Sequence, residues 1–455
     1  MIERLRQRLG PVWGAVLLLF LAQRFGDAVN AFIGIWLVPR YVPPAELGAV
    51  LPLAQVATFV AMPLSILLTP YAKLLNVHAE RGEPGRVKAM FRDASLLALA
   101  VLLLTFALAP LFFPYVFRHF GIQNGNLALA IVVSAMLGAL SPVFTESLRA
   151  LRRFGVFSAM GAATAPLRLA VMWIALPFRG LTGYFVGQAS GPAFQSGVAL
   201  WDFLRRHRGV RCEPYFREDR RVFLAFALPL AVSTVAGNLR GMAEMMPMAL
   251  VPAAESAAYY QLTRFTEISS YLGLTLVFVL FPVVSARHER GEDTRRILLQ
   301  TMWGSLAIGL AAAVVLALAG RPLFEAVGFL RPYAGYAGYF LPLGLLASVR
   351  VASSCFTTHE MACSRFRFLR YTVPIALAEA AALRILARGG AFEWRLFHIV
   401  GAMLAGAILS FAGNLAELAL PPAGQSARRR TSEPGSTDGE PGPASRSASE
   451  AASKA

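Results

Sequence analysis

Apolar residues fill this chain in long unbroken runs, separated by short basic or turn-forming segments. A bilayer-crossing helix needs ~20 mostly apolar residues, and the runs are long enough. They predict twelve spans, over residues 11–38, 46–70, 94–117, 127–148, 156–178, 181–203, 222–249, 256–284, 298–320, 336–357, 369–387 and 396–418. The apolar positions are continuous rather than alternating, which excludes a membrane barrel. Helices are then the way left to satisfy backbone groups in lipid. The predicted fold class is an all-α polytopic membrane protein.

Composition agrees. Hydrophobic residues make up 56% of the chain and charged residues 15%, against roughly 25% charged in soluble domains. The net charge of +17 would suit a nucleic-acid partner if the cations formed one patch. Instead they follow the loops. With the N-terminus inside, 25 Lys and Arg fall on the cytoplasmic side and seven on the other. That bias orients the spans with both termini cytoplasmic, and no nucleic-acid partner is expected. The basic start and apolar run to Ala22 lack a small-residue cleavage pattern, so they read as the first span. Cys212, Cys355 and Cys363 show no paired spacing.

An internal repeat organises the spans. Val42-Pro-Pro-Ala-Glu46 returns as Val251-Pro-Ala-Ala-Glu255, and Glu80-Arg-Gly-Glu83 returns as Glu289-Arg-Gly-Glu292, both at an offset of 209 residues. Six spans lie between the copies, so both halves enter the membrane in the same sense, as a parallel repeat. The layout expected is a six-helix bundle over 1–204, a basic connector over 205–221, a second bundle over 222–418 and a disordered tail over 419–455. The connector suits anionic headgroups, though a topology signal alone explains it. Pro63, Pro166, Pro192, Pro229, Pro342 and Pro374 fall inside spans, where they can bend helices.

Charges inside the spans change the picture most. A charge at bilayer depth costs about 2.5–3.5 kcal/mol on insertion scales. The chain nonetheless places Arg24 and Asp27 on the first span, Arg168 on the fifth, and Arg240 with Glu244 on the seventh. Arg264 and Glu267 lie on the eighth and Arg350 on the tenth. Arginine and acid stand three or four residues apart, on one helix face. Five arginines against three acids leave a positive surplus. Guanidinium forks bind phosphate oxygens in pairs and stay charged, so the surplus suits a diphosphate better than a cationic drug. Glu379 and Arg384 on the eleventh span do not share a face and are left out of the site. The six histidines show no metal-ligand spacing and no Walker A lysine motif occurs. No enzyme, cofactor or metal is expected.

Particular segments resemble a known family. Tyr259-Tyr260, Arg264, Glu267, Gly273, Leu280-Phe281-Pro282 and Ser285 resemble the eighth helix of MurJ-type lipid II flippases, and Arg24-Phe-Gly-Asp27 that family's first helix. Tyr41-Val-Pro-Pro-Ala-Glu-Leu-Gly48 is similar to the segment before the second helix of Wzx-type polysaccharide flippases. The chain is thus identified as resembling the MOP exporter superfamily, which also contains the MATE exporters. The resemblance implies two six-helix bundles in a MATE-like V and a central cavity. It also implies a role for Arg264 in substrate handling. The second span, Glu46 to Pro70, lacks the arginine of MurJ-type proteins, and twelve spans are read rather than fourteen. Both departures favour a Wzx-like carrier of another lipid-linked glycan.

The expectation is a bacterial inner-membrane flippase for an undecaprenyl-diphosphate-linked saccharide. Arg24, Arg240 and Arg264 would bind the diphosphate, with Arg168 and Arg350 behind them. Asp27, Glu244 and Glu267 would orient the arginines or titrate with a coupling cation of unassigned identity. Lipid-linked saccharide, membrane lipids and other polysaccharide-assembly proteins are the expected partners. The rivals are a cation-coupled multidrug exporter, which calls for an acidic cavity, and a glycan polymerase or ligase, which calls for a large outer loop. A scaffold would use the charge pairs only as bridges.

Overall fold

The computed structural model describes residues 21–119, 125–151, 153–214, 216–290, 292–363, 365–388 and 395–419. The start of the first span, Arg152 and the tail from Pro421 lie outside them, as do the side chains of Phe281, Pro282 and Ser285. The described residues are helical with short turns and hold no strand. Helix α1 covers 21–41. It is followed by α2 Val50–Glu80, α3 Pro84–His119 and α4 Gly125–Ala150. Helices α5 and α6 share the stretch Phe154–Arg206. Then come α7 Phe216–Met245, α8 Ala253–Glu289, α9 Arg295–Ala326, α10 Phe340–Ala362, α11 Leu369–Arg388 and α12 Leu396–Ala419. Among the described residues each expected span falls on one of these helices for most of its length.

Among the described residues, eight helices are long and apolar enough to cross a membrane. One of them is the 53-residue stretch Phe154–Arg206. At 1.5 Å per residue it would run ~80 Å if straight, far beyond a ~30 Å hydrocarbon core. It reverses at Gly180, whose φ of 51° and ψ of −127° are closed to residues with a side chain. Small residues then zip the two arms together. A Cβ on Gly183 would lie 2.5 Å from the Ala175 carbonyl, and one on Gly187 would lie 2.1 Å from the Met172 side chain. Gly191 is a little less tight, where a Cβ would meet Thr164 at 2.9 Å. Glycine every fourth residue lets the backbones of α5 and α6 touch, the packing that substitutes for hydrophobic drive in lipid.

The repeat copies adopt the same local forms. Pro43 and Pro252 each precede a helical turn with extended backbone, at φ −56°, ψ 146° and φ −51°, ψ 138°. Each Glu-Arg-Gly-Glu copy then ends a helix, α2 at Glu80 and α8 at Glu289. In the first copy Gly82 takes φ 68°, and the Glu83 N–H donates to the His78 carbonyl at 3.0 Å. The second repeats this with Glu292 donating to Arg287 at 3.0 Å. This is the Schellman ending, which satisfies carbonyls orphaned at a helix C-terminus.

Helix α2 packs on α4 and on α7, while α8 packs on α9 and α10. Phe265, Phe324 and Phe340 interlock at ring separations of 5.3–5.9 Å, fixing α8, α9 and α10 to one another. The described prolines Pro63, Pro166, Pro192, Pro229 and Pro374 lie inside helices without ending them. Pro342 differs from the expectation of a mid-span proline. The tenth span opens as a 3-10 helix, Arg331–Tyr339, and α10 begins only at Phe340. Pro342 therefore occupies a first turn, where no N–H is needed.

The connector is tied down. Lys88 Nζ donates to the carbonyls of His207 and Val210 at 3.0 and 2.7 Å, and the Glu213 N–H reaches the Gly85 carbonyl at 3.2 Å. His207 stacks on Phe203 at 4.1 Å, and Phe203 stacks on Phe91 at 3.7 Å. Burial pushes the His207 imidazole below its ordinary 6.5.

Candidate functional site

The intramembrane charges gather in two groups, each built where three helices meet. The first joins α1, α5 and α8. Helix α1 widens into a π-helical turn at Ile33–Leu37, which contacts α8. Such turns are uncommon and concentrate at functional places. Gly34 in that turn faces Arg264, and a Cβ there would come 2.8 Å from the arginine's Cδ. The missing side chain makes room for the arginine's arm. Arg264 Nη1 then donates to both oxygens of Glu267, at 2.8 and 2.9 Å, with its guanidinium 5.0 Å from the Tyr260 ring centre. The Tyr271 hydroxyl donates to Glu267 at 3.4 Å.

Arg24 repeats the i,i+3 arrangement from α1. Its Nη1 lies 3.2 Å from Asp27, which also accepts from Gln23 at 3.1 Å. The same Nη1 crosses to α8 and donates to the Tyr271 backbone carbonyl at 2.5 Å. A helical carbonyl has a second lone pair to accept it. Arg168 comes from α5 and donates to Asn30 of α1 at 2.8 Å. Sequence spacing left Arg168 without a local partner; its partner is an amide on another helix. Three guanidinium groups here face two carboxylates, Asp27 and Glu267.

The second group joins α7, α10 and α11. Arg240 Nε lies 3.0 Å from Glu244 on its own helix and 3.0 Å from Glu379 on α11. Arg350 of α10 donates to the same Glu244 oxygen. Glu379, set aside on sequence grounds, is therefore part of the network, and the inventory becomes five arginines and four carboxylates. Its signal could not be read along one helix, because its partner stands on another. Gly406 of α12 closes the group: a Cβ there would meet Glu379 Oε2 at 1.8 Å.

A cavity of about 320 Å³ lies among α8, α10 and α12. Glu267 from the first group and Arg350 from the second both line it, with Tyr259, Thr263, Thr266, Ser270, Ser354 and apolar residues that include Leu343, Leu346 and Met403. Arg24, Arg168, Arg240 and Arg264 stand outside its lining. The expected single chamber of arginines is thus two charge groups with one cavity between them. Among the described residues no three His, Cys, Asp or Glu side chains gather as a metal site.

The fold has solved counterparts. The inward-facing structure of a multidrug resistance MATE family transporter of the MOP superfamily overlays 90% of this chain and 96% of its own, with TM-score 0.69 at 15% identity. The chain has the MOP-superfamily fold. The inward closed structure of the lipid II flippase MurJ matches with TM-score 0.63 over 89% of this chain and 88% of that one, at 12% identity. A MOP transporter from Pyrococcus furiosus, described as having a binding pocket of reverse polarity, matches with TM-score 0.61 over 89% and 96%, at 15% identity. No family model matches the sequence, and no curated protein matches it either. The match bears out the all-α, multi-pass reading.

Proposed function

We propose that the chain is an alternating-access flippase that moves an undecaprenyl-diphosphate-linked saccharide across the bacterial inner membrane, with both termini cytoplasmic. The observation that carries this reading is the meeting of α1 and α8. There Arg24, Arg168 and Arg264 outnumber Asp27 and Glu267 inside otherwise apolar helices. A diphosphate supplies the missing negative charge, in the geometry guanidinium groups bind best. Arg240 and Arg350 support the site from the second group. Asp27, Glu244 and Glu267 orient the arginines and are the acids available to a coupling cation. The bundles 1–204 and 222–418 would rock about the α1–α8 contact, handing the lipid to other polysaccharide-assembly proteins.

The test is a vesicle assay with purified protein. Lipid-linked saccharide appears on the far leaflet with the natural chain, and its appearance slows roughly 10–100-fold with Arg264→Ala while the protein remains folded. Flipping unaffected by that change rejects the reading. One observation favours a second reading: the overlay on a MATE transporter reaches TM-score 0.69. A multidrug exporter would concentrate an organic cation such as tetraphenylphosphonium in the same vesicles, and would do so only with Glu267 intact.

A further inference from the structure

The cavity among α8, α10 and α12 has a composition that the diphosphate does not explain. Its one carboxylate, Glu267, is already engaged by Arg264 and Tyr271, and its one guanidinium, Arg350, is engaged by Glu244. The lining is therefore electrically balanced, which disfavours both a lone cation and a lone anion as occupant. What remains is a set of hydrogen-bonding groups interspersed with apolar side chains. Thr266 and Ser354 spend their hydroxyl protons on backbone carbonyls, at 3.0 and 2.7 Å, and keep lone pairs to accept with. Ser270, also in the lining, brings a third hydroxyl. Leu274, Leu343, Leu346, Ala347, Val351 and Met403 are the apolar members of the lining. At about 320 Å³ the space lies at the small end of ligand pockets, ~300–1,000 Å³.

We propose that this cavity is the subsite for the first, uncharged saccharide ring of the lipid-linked substrate. A sugar ring has hydroxyls at its rim and C–H groups on its faces, matching a lining that mixes hydroxyl and apolar groups. Glu267 belongs both to the Arg264 pair and to the cavity wall, so a diphosphate at Arg264 would point its sugar past Glu267 into this space. The inference rests on the diphosphate reading above and names what sits beside it.

The test uses the full chain in nanodiscs and two kinds of probe. One is bare undecaprenyl diphosphate; the other is a panel of undecaprenyl-diphosphate monosaccharides bearing glucose, galactose, N-acetylglucosamine or N-acetylgalactosamine. The natural chain should bind at least one glycosylated probe more tightly than the bare one. Ala347→Phe, which fills the cavity, should erase that advantage and leave bare-carrier binding within about twofold. The near-isosteric pair Thr266→Val and Ser270→Ala, chosen in case Phe disturbs folding, should cut the advantage about fivefold, the worth of one net hydrogen bond. No advantage for any sugar, or an advantage that survives both variants, overturns the subsite. Binding of neither probe overturns the diphosphate reading itself. Displacement of the sugar probe by tetraphenylphosphonium would reassign the cavity to an organic cation and overturn the proposal.

Discussion

The two charge groups use the same residue types in opposite ways. In the α1–α5–α8 group each acid answers an arginine three residues away on its own helix, and the bonds between helices go to a backbone carbonyl and an amide. In the α7–α10–α11 group a single carboxylate, Glu244, serves arginines on two helices, and Arg240 in turn serves carboxylates on two. Parting α1 from α8 strands neither Arg24 nor Arg264, because each keeps an acid on its own helix; helices joined by shared ions cannot part in this way. The first group is suited to a contact that opens and the second to one that holds. The surplus guanidinium belongs to the same group.

The largest effect expected tests the holding role. Glu244→Ala leaves Arg240 and Arg350 with one carboxylate between them, and breaking a buried ion pair costs about 3–5 kcal/mol. Folded yield and thermal unfolding in detergent should show the loss; an unchanged midpoint would erase the distinction between the groups. Next is Arg264→Ala, which should leave that midpoint nearly in place while slowing flipping roughly 10–100-fold, the worth of charged hydrogen bonds. Arg264→Lys should recover only part, because an ammonium cannot fork. A smaller effect separates two glycines. Gly34→Ala presses on Arg264 and should slow flipping, while Gly406→Ala presses on Glu379 and should lower stability, each through overpacking of about 1–3 kcal/mol. Exchange of those two outcomes would reverse the assignment.

The smallest effect concerns the connector. His207 has its imidazole pushed below 6.5 by burial, so the folded chain favours the neutral ring. The stability this adds is complete above about pH 6.5 and declines as pH falls below it. Limited proteolysis of the connector should quicken between pH 7.5 and 5.5, and His207→Gln should flatten that response.

Much of this arrangement was legible along the chain. Apolar run lengths placed most of the described helices, because lipid demands a minimum length and forbids open backbone. The pairs Arg24–Asp27, Arg240–Glu244 and Arg264–Glu267 were legible because one helical turn dictates them. What stayed hidden depends on helix-to-helix register. Glu379 shows no partner on its own helix, and Arg168 meets Asn30 only after α5 packs on α1. The π-helical turn at Ile33–Leu37 has no sequence mark beyond Gly34. Gly183, Gly187 and Gly191 were different: their four-residue spacing was in plain view as a packing signal.

The anchored connector limits how far the head of α7 can stray from α3. From Glu213, pinned to Gly85, to Phe216 at the head of α7 there are three peptide steps, a leash of roughly 11 Å. At that corner the head of α7 can swivel but not drift from α3, so any separation of these two helices must widen with distance from it. Spin-label distances from Val210 to the start of α7 should hold steady through the cycle, while those at the far rim change.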